Sequence, residues 1–201
     1  HGGTNKVYLN QDGVLQTTAN SYWQSGDSDD TLTVAWGDMN GDGWLDLAVG
    51  NEGSANKVYL NLGGSLQTAS NVSWTSTVPD DTYSVAWGDA DGDGDLDLAV
   101  GNWGSPNKVY LNLGGTLQRT ADSAWVFGNN DETWSIAWGD VDGDGDLDLA
   151  AGNWEAANKV YLVENGVLQA SNFWDTDDAD KSGSIAWGDV DGDGDLDLAV
   201  G

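Results

Sequence analysis

Short apolar runs alternate with polar turns along the whole chain, and no stretch shows the three- and four-residue spacing of an amphipathic helix. Around residue 100 the pattern resolves into four strand-length runs. Strand A falls at roughly 83–88, B at 96–101, C at 108–112 and D from about 117 to 125. Turn residues separate them: an Asp/Gly loop, then Asn-Trp-Gly-Ser-Pro-Asn, then Asn-Leu-Gly-Gly, then a polar acidic stretch. Apolar side chains fall on both faces of such runs, with Val7 and Leu9 on one and Tyr8 on the other. That predicts sheets covered on both sides.

The unit repeats. Ala-Trp-Gly-Asp recurs at Trp36, Trp87, Trp138 and Trp187, with spacings of 51, 51 and 49 residues. Asn-Lys-Val-Tyr-Leu recurs at Lys6, Lys57, Lys108 and Lys159. Trp23, Trp74, Trp125 and Trp174 each stand 13 residues before the Trp of Ala-Trp-Gly-Asp, and the last repeat loses two residues between Leu168 and Trp174. No linker or change of composition interrupts the array, so residues 1–201 read as one domain. Four-stranded units about 50 residues apart predict an all-β fold, a β-propeller, with a β-solenoid of shorter coils as the alternative. The array opens at a strand C and ends after a strand B, giving four A–B and four C–D halves. If the terminal halves share a blade, the ring closes in one of two ways. One chain forms a four-bladed ring, or two chains form an eight-bladed homodimer by strand exchange.

The A–B loop reads Asp89-x-Asp91-x-Asp93-Gly94-Asp95-x-Asp97. Alternate carboxylates in a tight loop, with a glycine at the bend, converge on a hard divalent cation, and Ca²⁺ takes six to eight oxygen ligands. The pattern recurs as Asp38, Asn40, Asp42 and Asp46; as Asp140, Asp142, Asp144 and Asp148; and as Asp189, Asp191, Asp193 and Asp197. Position 7 is Trp44 in the first loop but Asp95, Asp146 and Asp195 in the others. An indole cannot replace a carboxylate ligand, so position 7 is expected to coordinate through its backbone carbonyl. The loop is not an EF-hand: position 12 counted from Asp89 is Val100 rather than Glu, and strands flank it. Leu96 with Leu98 is expected to pin the loop to the core.

Charge sharpens this reading. The chain carries 34 acids against 6 bases, a net charge of -28. The loops hold eighteen of those acids, three in the first and five in each of the others, a density costly without a cation. About four Ca²⁺ per chain would leave a net charge near -20, on the order of one ion per loop. A polyanion of this size gains nothing from nucleic acid. No apolar run reaches the roughly 20 residues of a membrane span, so neither nucleic acid nor membrane insertion is expected.

Residues 86–112, Ala-Trp-Gly-Asp-Ala-Asp-Gly-Asp-Gly-Asp-Leu-Asp-Leu-Ala-Val-Gly-Asn through Asn-Lys-Val-Tyr-Leu-Asn, resemble the FG-GAP/VCBS repeats. These are the blade units of integrin α-subunit propellers and of many secreted bacterial proteins. The resemblance spans essentially the whole chain. It implies Ca²⁺ in each A–B loop, a secreted or cell-surface setting, bacterial by resemblance, and adhesive, matrix or carbohydrate-binding roles. It also implies about seven blades in a ring, against the four encoded here.

Strand order puts the A–B and C–D loops on one face and the B–C and D–A loops on the other. The B–C position held by Glu52 is Trp103 and Trp154 in two other repeats, and His1 falls there in another. Exposed tryptophan beside acids and amides stacks sugar rings; tucked between blades, the same residues are filler. The repeated tryptophans read as wedges between blades, and the four lysines as solvated or paired with nearby acids. Catalysis is not expected: there is no cysteine, His1 is the sole histidine, and acids outside the loops lack apolar surroundings. The reading is a Ca²⁺-binding structural or adhesive module, with a lectin-like propeller as the alternative and a protein or glycan as the partner.

Overall fold

The computed structural model describes residues 2–18, 21–119, 124–169, 171 and 173–201. These form antiparallel strands and no helix. An N-terminal pair, β1 (Lys6–Tyr8) and β4 (Tyr22–Gln24), encloses a short hairpin of β2 (Asn10–Gln11) and β3 (Val14–Leu15). Three complete blades follow. The first is β5 (Asp30–Gly37), β6 (Asp46–Glu52), β7 (Lys57–Tyr59) and β8 (Trp74–Thr75). The second is β9 (Asp81–Gly88), β10 (Asp97–Trp103), β11 (Asn107–Tyr110) and β12 (Ala124–Phe127). The third is β13 (Glu132–Gly139), β14 (Asp148–Trp154), β15 (Lys159–Tyr161) and β16 (Trp174–Asp175). A C-terminal pair, β17 (Ile185–Gly188) and β18 (Asp197–Val200), ends the fold. The result is a curled, propeller-like array of repeats.

Register is the same in every blade. The B and C strands pair Leu47 with Tyr59, Leu98 with Tyr110 and Leu149 with Tyr161. Apolar side chains on both faces are buried because each blade is covered by its neighbours. Met39, Val58 and Trp74 of the first blade share one core with Val85, Leu98, Tyr110 and Leu117 of the second. The tryptophan of Ala-Trp-Gly-Asp is the wedge. The Trp87, Trp138 and Trp187 indole N–H groups donate to the carbonyls of Ala35, Ala86 and Ala137 in the preceding blade, at 3.3, 3.4 and 3.2 Å.

Polar groups also cross between blades. Asn56 donates to Thr82 Oγ1 at 2.8 Å and Thr82 to Asn102 Oδ1 at 2.8 Å; Asn107 donates to Thr133 Oγ1 at 2.9 Å and Thr133 to Asn153 at 2.7 Å. All are buried, so every donor finds an acceptor inside the core. The strand-C lysines pair with the acidic D–A loops as expected: Lys57 with Asp27 and Asp29, Lys108 with Asp80, and Lys159 with Asp131.

Two expectations change. Strand D is not one run from 117 to 125. Leu117 bridges back to Asn112 and residues 118–119 are in no strand; the rest of the expected run before β12, residues 120–123, lies outside the described residues. Before β8 the break is a turn, with the Asn71 N–H donating to the Thr68 carbonyl at 3.0 Å; the Ser21 N–H donates to the Thr18 carbonyl at the same distance. Side chains reinforce it, since the Thr68 N–H donates to Asn71 Oδ1 at 2.8 Å. Nor does the leucine preceding position 9 pin the loop: Leu98 is fully buried, but Leu96 is half-buried and its counterpart Leu45 is exposed.

Candidate metal centre

Each A–B loop is a nest of carboxylates closed on its own backbone. Glycines at positions 4 and 6 adopt left-handed φ, 75° and 96° for Gly92 and Gly94, which L side chains reach only with strain. That bend lets position 1 accept an N–H five residues on: Gly43 to Asp38 at 2.8 Å, Gly94 to Asp89 at 3.0 Å, Gly145 to Asp140 and Gly194 to Asp189 at 3.1 Å. Position 9 is the anchor. Asp46, Asp97 and Asp148 are fully buried, and one oxygen of each accepts the N–H of position 2: Met39, Ala90 and Val141. The other accepts the N–H of Asn61, Asn112 or Val163, just past strand C, at 2.7 to 2.9 Å.

The fold gathers positions 1, 3 and 9 into three triads: Asp89, Asp91 and Asp97; Asp140, Asp142 and Asp148; Asp189, Asp191 and Asp197. Within each triad one oxygen per residue lies within 4.8 Å of the others. Oxygens bound to one Ca²⁺ at about 2.3–2.6 Å are separated by no more than about twice that, so the spacing suits such an ion. Asp89 Oδ1 is buried and has no hydrogen-bond donor among the described residues, as expected of a ligand atom. The first loop has Asn40 at position 3, and its amide oxygen accepts the Asp42 N–H at 3.1 Å.

Positions 5 and 7 do other work in this structure. The carboxylates of Asp42, Asp93, Asp144 and Asp193 accept the N–H of Trp44, Asp95, Asp146 and Asp195 at 2.9 to 3.0 Å. The position-7 side chains reach the C–D turn of the same blade. Asp95 accepts the Gly114 N–H at 2.8 Å and Asp146 the Gly166 N–H at 3.2 Å, while the Trp44 ring lies against Gly64 at the corresponding turn. One structural slot therefore takes either a carboxylate or an indole, and the side chain at this position is committed away from the triad.

Electrostatics match a site built for a cation. Burial, reinforced by the charges of Asp91 and Asp93, pushes the Asp97 carboxyl up to about 7, against the pull of the Asn112 and Ala90 N–H bonds. Burial likewise raises Asp46, Asp148 and Asp91. A positive ion reverses this by favouring the ionised form.

On the opposite face a second cluster forms. The strand-A bulges of the second and third blades turn out Tyr83 and Trp134 from between their ladder neighbours. They meet Trp103 and Trp154 in a row: Tyr83–Trp103 at 5.3 Å, Trp103–Trp134 at 5.8 Å and Trp134–Trp154 stacked at 4.9 Å, with Lys181 Nζ 4.8 Å from the Trp154 ring. The sequence reading found Trp103 and Trp154 but missed Tyr83 and Trp134. The signal was there: in Thr-Leu-Thr, Thr-Tyr-Ser, Thr-Trp-Ser and Ser-Gly-Ser the flanking positions exchange only Thr and Ser, while the bulged position between them differs in every repeat. His1, at the same B–C position, lies outside the described residues.

Among curated proteins none matches the chain. Two crystal structures of BBS1N in complex with ARL6DN, soaked with lead and with mercury, superpose with TM-scores of 0.58 and 0.55 at 16% identity. Each match covers 88% of this chain and 52% of theirs. The V. cholerae biofilm matrix protein Bap1 superposes with a TM-score of 0.53 at 20% identity, over 86% of this chain and 28% of that one. The chain thus spans about half the length of the first of these structures, and the likeness is one of fold. The FG-GAP-like repeat matches at residues 1–49, 38–100, 89–151 and 140–200, and this chain belongs to that repeat family.

Proposed function

We propose that the chain is a calcium-binding, extracellular β-propeller module with a structural or adhesive role and no catalytic one. The observation that carries the reading is the convergence of positions 1, 3 and 9 on centres of Ca²⁺ size, with Asp89 Oδ1 buried and without a donor among the described residues. The full set adds the carboxylates at position 5, the backbone carbonyls of Trp44, Asp95, Asp146 and Asp195, and the oxygens of Asp38, Asn40, Asp42 and Asp46 in the first loop. Each ion then ties an A–B loop to strand C of its own blade through the buried aspartate, which stiffens the array. Sites of this kind fill at the calcium levels found outside cells, so the protein belongs in a secreted or surface setting, bacterial by kinship with the repeat family. Similarity to a biofilm matrix protein supports the adhesive side of the reading. The partner is a protein or glycan; the net charge of -28 speaks against nucleic acid.

Equilibrium dialysis against Ca²⁺, followed by elemental analysis, tests the metal claim: about four ions per chain support it and fewer than two refute it. Capture of matrix polymers or surface proteins by the calcium-loaded chain, lost in EDTA, tests the adhesive role. A lectin-like role is favoured by one specific observation, the row of Tyr83, Trp103, Trp134 and Trp154, in which the Trp134 indole N–H has no acceptor among the described residues. Glycan-array binding abolished by Trp103→Ala with Trp154→Ala selects it over the protein-binding module.

A further inference from the structure

We infer, resting on the calcium reading proposed above, that Asn112 couples the A–B loops of the first two blades: an ion held by residues 89–97 raises the affinity of residues 38–46, and the reverse. Asn112 stands just past strand C of the second blade, is fully buried, and bonds to both loops. Its backbone N–H donates at 2.7 Å to Asp97, the buried carboxylate at position 9 of the second loop. Its side-chain amide donates to the Leu96 carbonyl at 3.0 Å and, across the blade boundary, to the Met39 carbonyl at 2.7 Å. Facing two carbonyls, the side chain presents its NH₂ group to them, because the opposite orientation would set oxygen against oxygen. Asn112 Oδ1 is left buried with no donor among the described residues, an unfavourable state that the two donated bonds offset.

The bond to Met39 bears on the ion site directly. Met39 is position 2 of the first loop, and its N–H donates to Asp46, at position 9, at 2.9 Å. Its carbonyl belongs to the peptide that leads into Asn40, at position 3. A peptide unit is planar, so holding its carbonyl fixes the backbone from which Asn40 departs. Gly115, in the C–D turn that Asn112 opens, lies against Asn40: a Cβ added to the glycine would come 3.3 Å from the Asn40 Cα. The second loop holds this turn as well, since Asp95 accepts the Gly114 N–H at 2.8 Å. Residues 112–115 are thus one short segment, gripped by positions 7, 8 and 9 of the second loop and set against positions 2 and 3 of the first.

With Asp89, Asp91 and Asp97 gathered on an ion, the segment that Asp95 and Asp97 hold is fixed in place. The first loop then binds with part of its ordering already done, which is positive coupling, and coupling of affinities is reciprocal. Asn112 acts here as a positioning residue. The third blade shows the same place without the link. Val163 stands where Asn112 does, is fully buried, and donates its backbone N–H to Asp148 at 2.9 Å, but its side chain has nothing to donate. Contact alone is common to both boundaries, since Gly166 lies against Asp91 as Gly115 does against Asn40. The amide bond is what the first boundary adds, and the fold accepts valine in its place.

Amide NMR reads the two loops separately. The Gly43 N–H donates to Asp38 and the Gly94 N–H to Asp89, so each reports its own loop as the ¹⁵N-labelled chain is titrated with Ca²⁺. Asp89→Asn should raise the Ca²⁺ midpoint read at Gly43 by at least about fivefold, the lower end of ordinary coupling between sites. Asp38→Asn should raise the midpoint read at Gly94 by a similar factor, a measurement that needs no change at Asn112. In an Asn112→Val chain, which follows the precedent of Val163, the effect of Asp89→Asn at Gly43 should fall below about twofold, the remainder being long-range charge screened by salt. A Gly43 midpoint unmoved by Asp89→Asn, or moved equally with asparagine and with valine at 112, overturns the coupling and leaves the calcium reading standing. Amides that ignore Ca²⁺ altogether overturn the calcium reading and the coupling with it.

Discussion

The indole of Trp138 rests on the backbone of Gly88 in the preceding blade, so close that a Cβ added to the glycine would come 2.7 Å from the ring. The same pair recurs as Trp87 on Gly37 and Trp187 on Gly139. The Gly of Ala-Trp-Gly-Asp is therefore a seat for the next repeat's Trp, two positions of one motif meeting across the blade boundary. Gly88→Ala should cost about 1–3 kcal/mol, the usual range for overpacking, read as a lower unfolding midpoint in urea. A midpoint within error of the unmodified protein would show that the blades slide apart without cost.

Calcium should dominate stability. An ion bound only by the native state raises the melting temperature by mass action, so excess EDTA should lower it by at least 10 °C, on the scale of a few kcal/mol for a domain of this size. Asp89→Asn should remove about one ion per chain, because Asp89 is a triad member with an orphaned oxygen. Asp95→Ala should keep the stoichiometry, since its carboxylate is engaged by Gly114 rather than by the triad. Loss of an ion in Asp95→Ala would place its side chain in the coordination sphere.

The metal-free protein should have an inverted pH profile. Burial first, then the charges of Asp91 and Asp93, holds Asp97 at about 7, well above the unfolded carboxylate. The folded state then binds the proton more tightly than the unfolded chain. The stabilisation is complete below the unfolded carboxylate range and is lost as pH rises through about 7. Asp46 and Asp148 shift in the same direction. In EDTA the protein should melt higher at pH 5 than at pH 8; in Ca²⁺, which favours the ionised form, that order should reverse. Equal midpoints in EDTA at the two pH values would contradict the burial of these carboxylates.

The Lys108–Asp80 pair should matter more than Lys181–Glu155. The former has side chains only 9% and 10% exposed, the latter 56% and 63%. Lys108→Met strands a buried carboxylate and should cost about 3 kcal/mol, partly recovered by adding Asp80→Asn. The loss of the exposed ion pair in Lys181→Met should cost less than about 1 kcal/mol. Chemical denaturation of the four proteins gives the comparison, and equal costs for the two lysines would show that burial does not set the strength of the pairs.

Much of the fold is legible in the sequence because its pattern is written four times. Period, strand count and turn chemistry are local properties, and the repeats average out the noise of any one copy. The aspartate loops were equally legible, since alternation of Asp and Gly at fixed offsets has few other physical uses. Legibility failed where a residue's role depends on another blade or strand. Leu96 looks like an anchor in sequence, yet the anchor is Asp97, held by an N–H 15 residues away past strand C. Strand D broke where the Asn71 side chain accepts the Thr68 N–H and the Ser21 hydroxyl donates to the Thr18 carbonyl.

By itself the sequence determined the unit, its order of strands, its aspartate loops and the identity of the wedge residues, all set by short-range spacing. Only the tertiary structure decided which three carboxylates converge, why position 7 accepts Asp or Trp, and that bulges deliver Tyr83 and Trp134 to Trp103 and Trp154. The reason is the same in each case: burial and convergence are properties of the space between repeats, and spacing along one chain does not record what fills it.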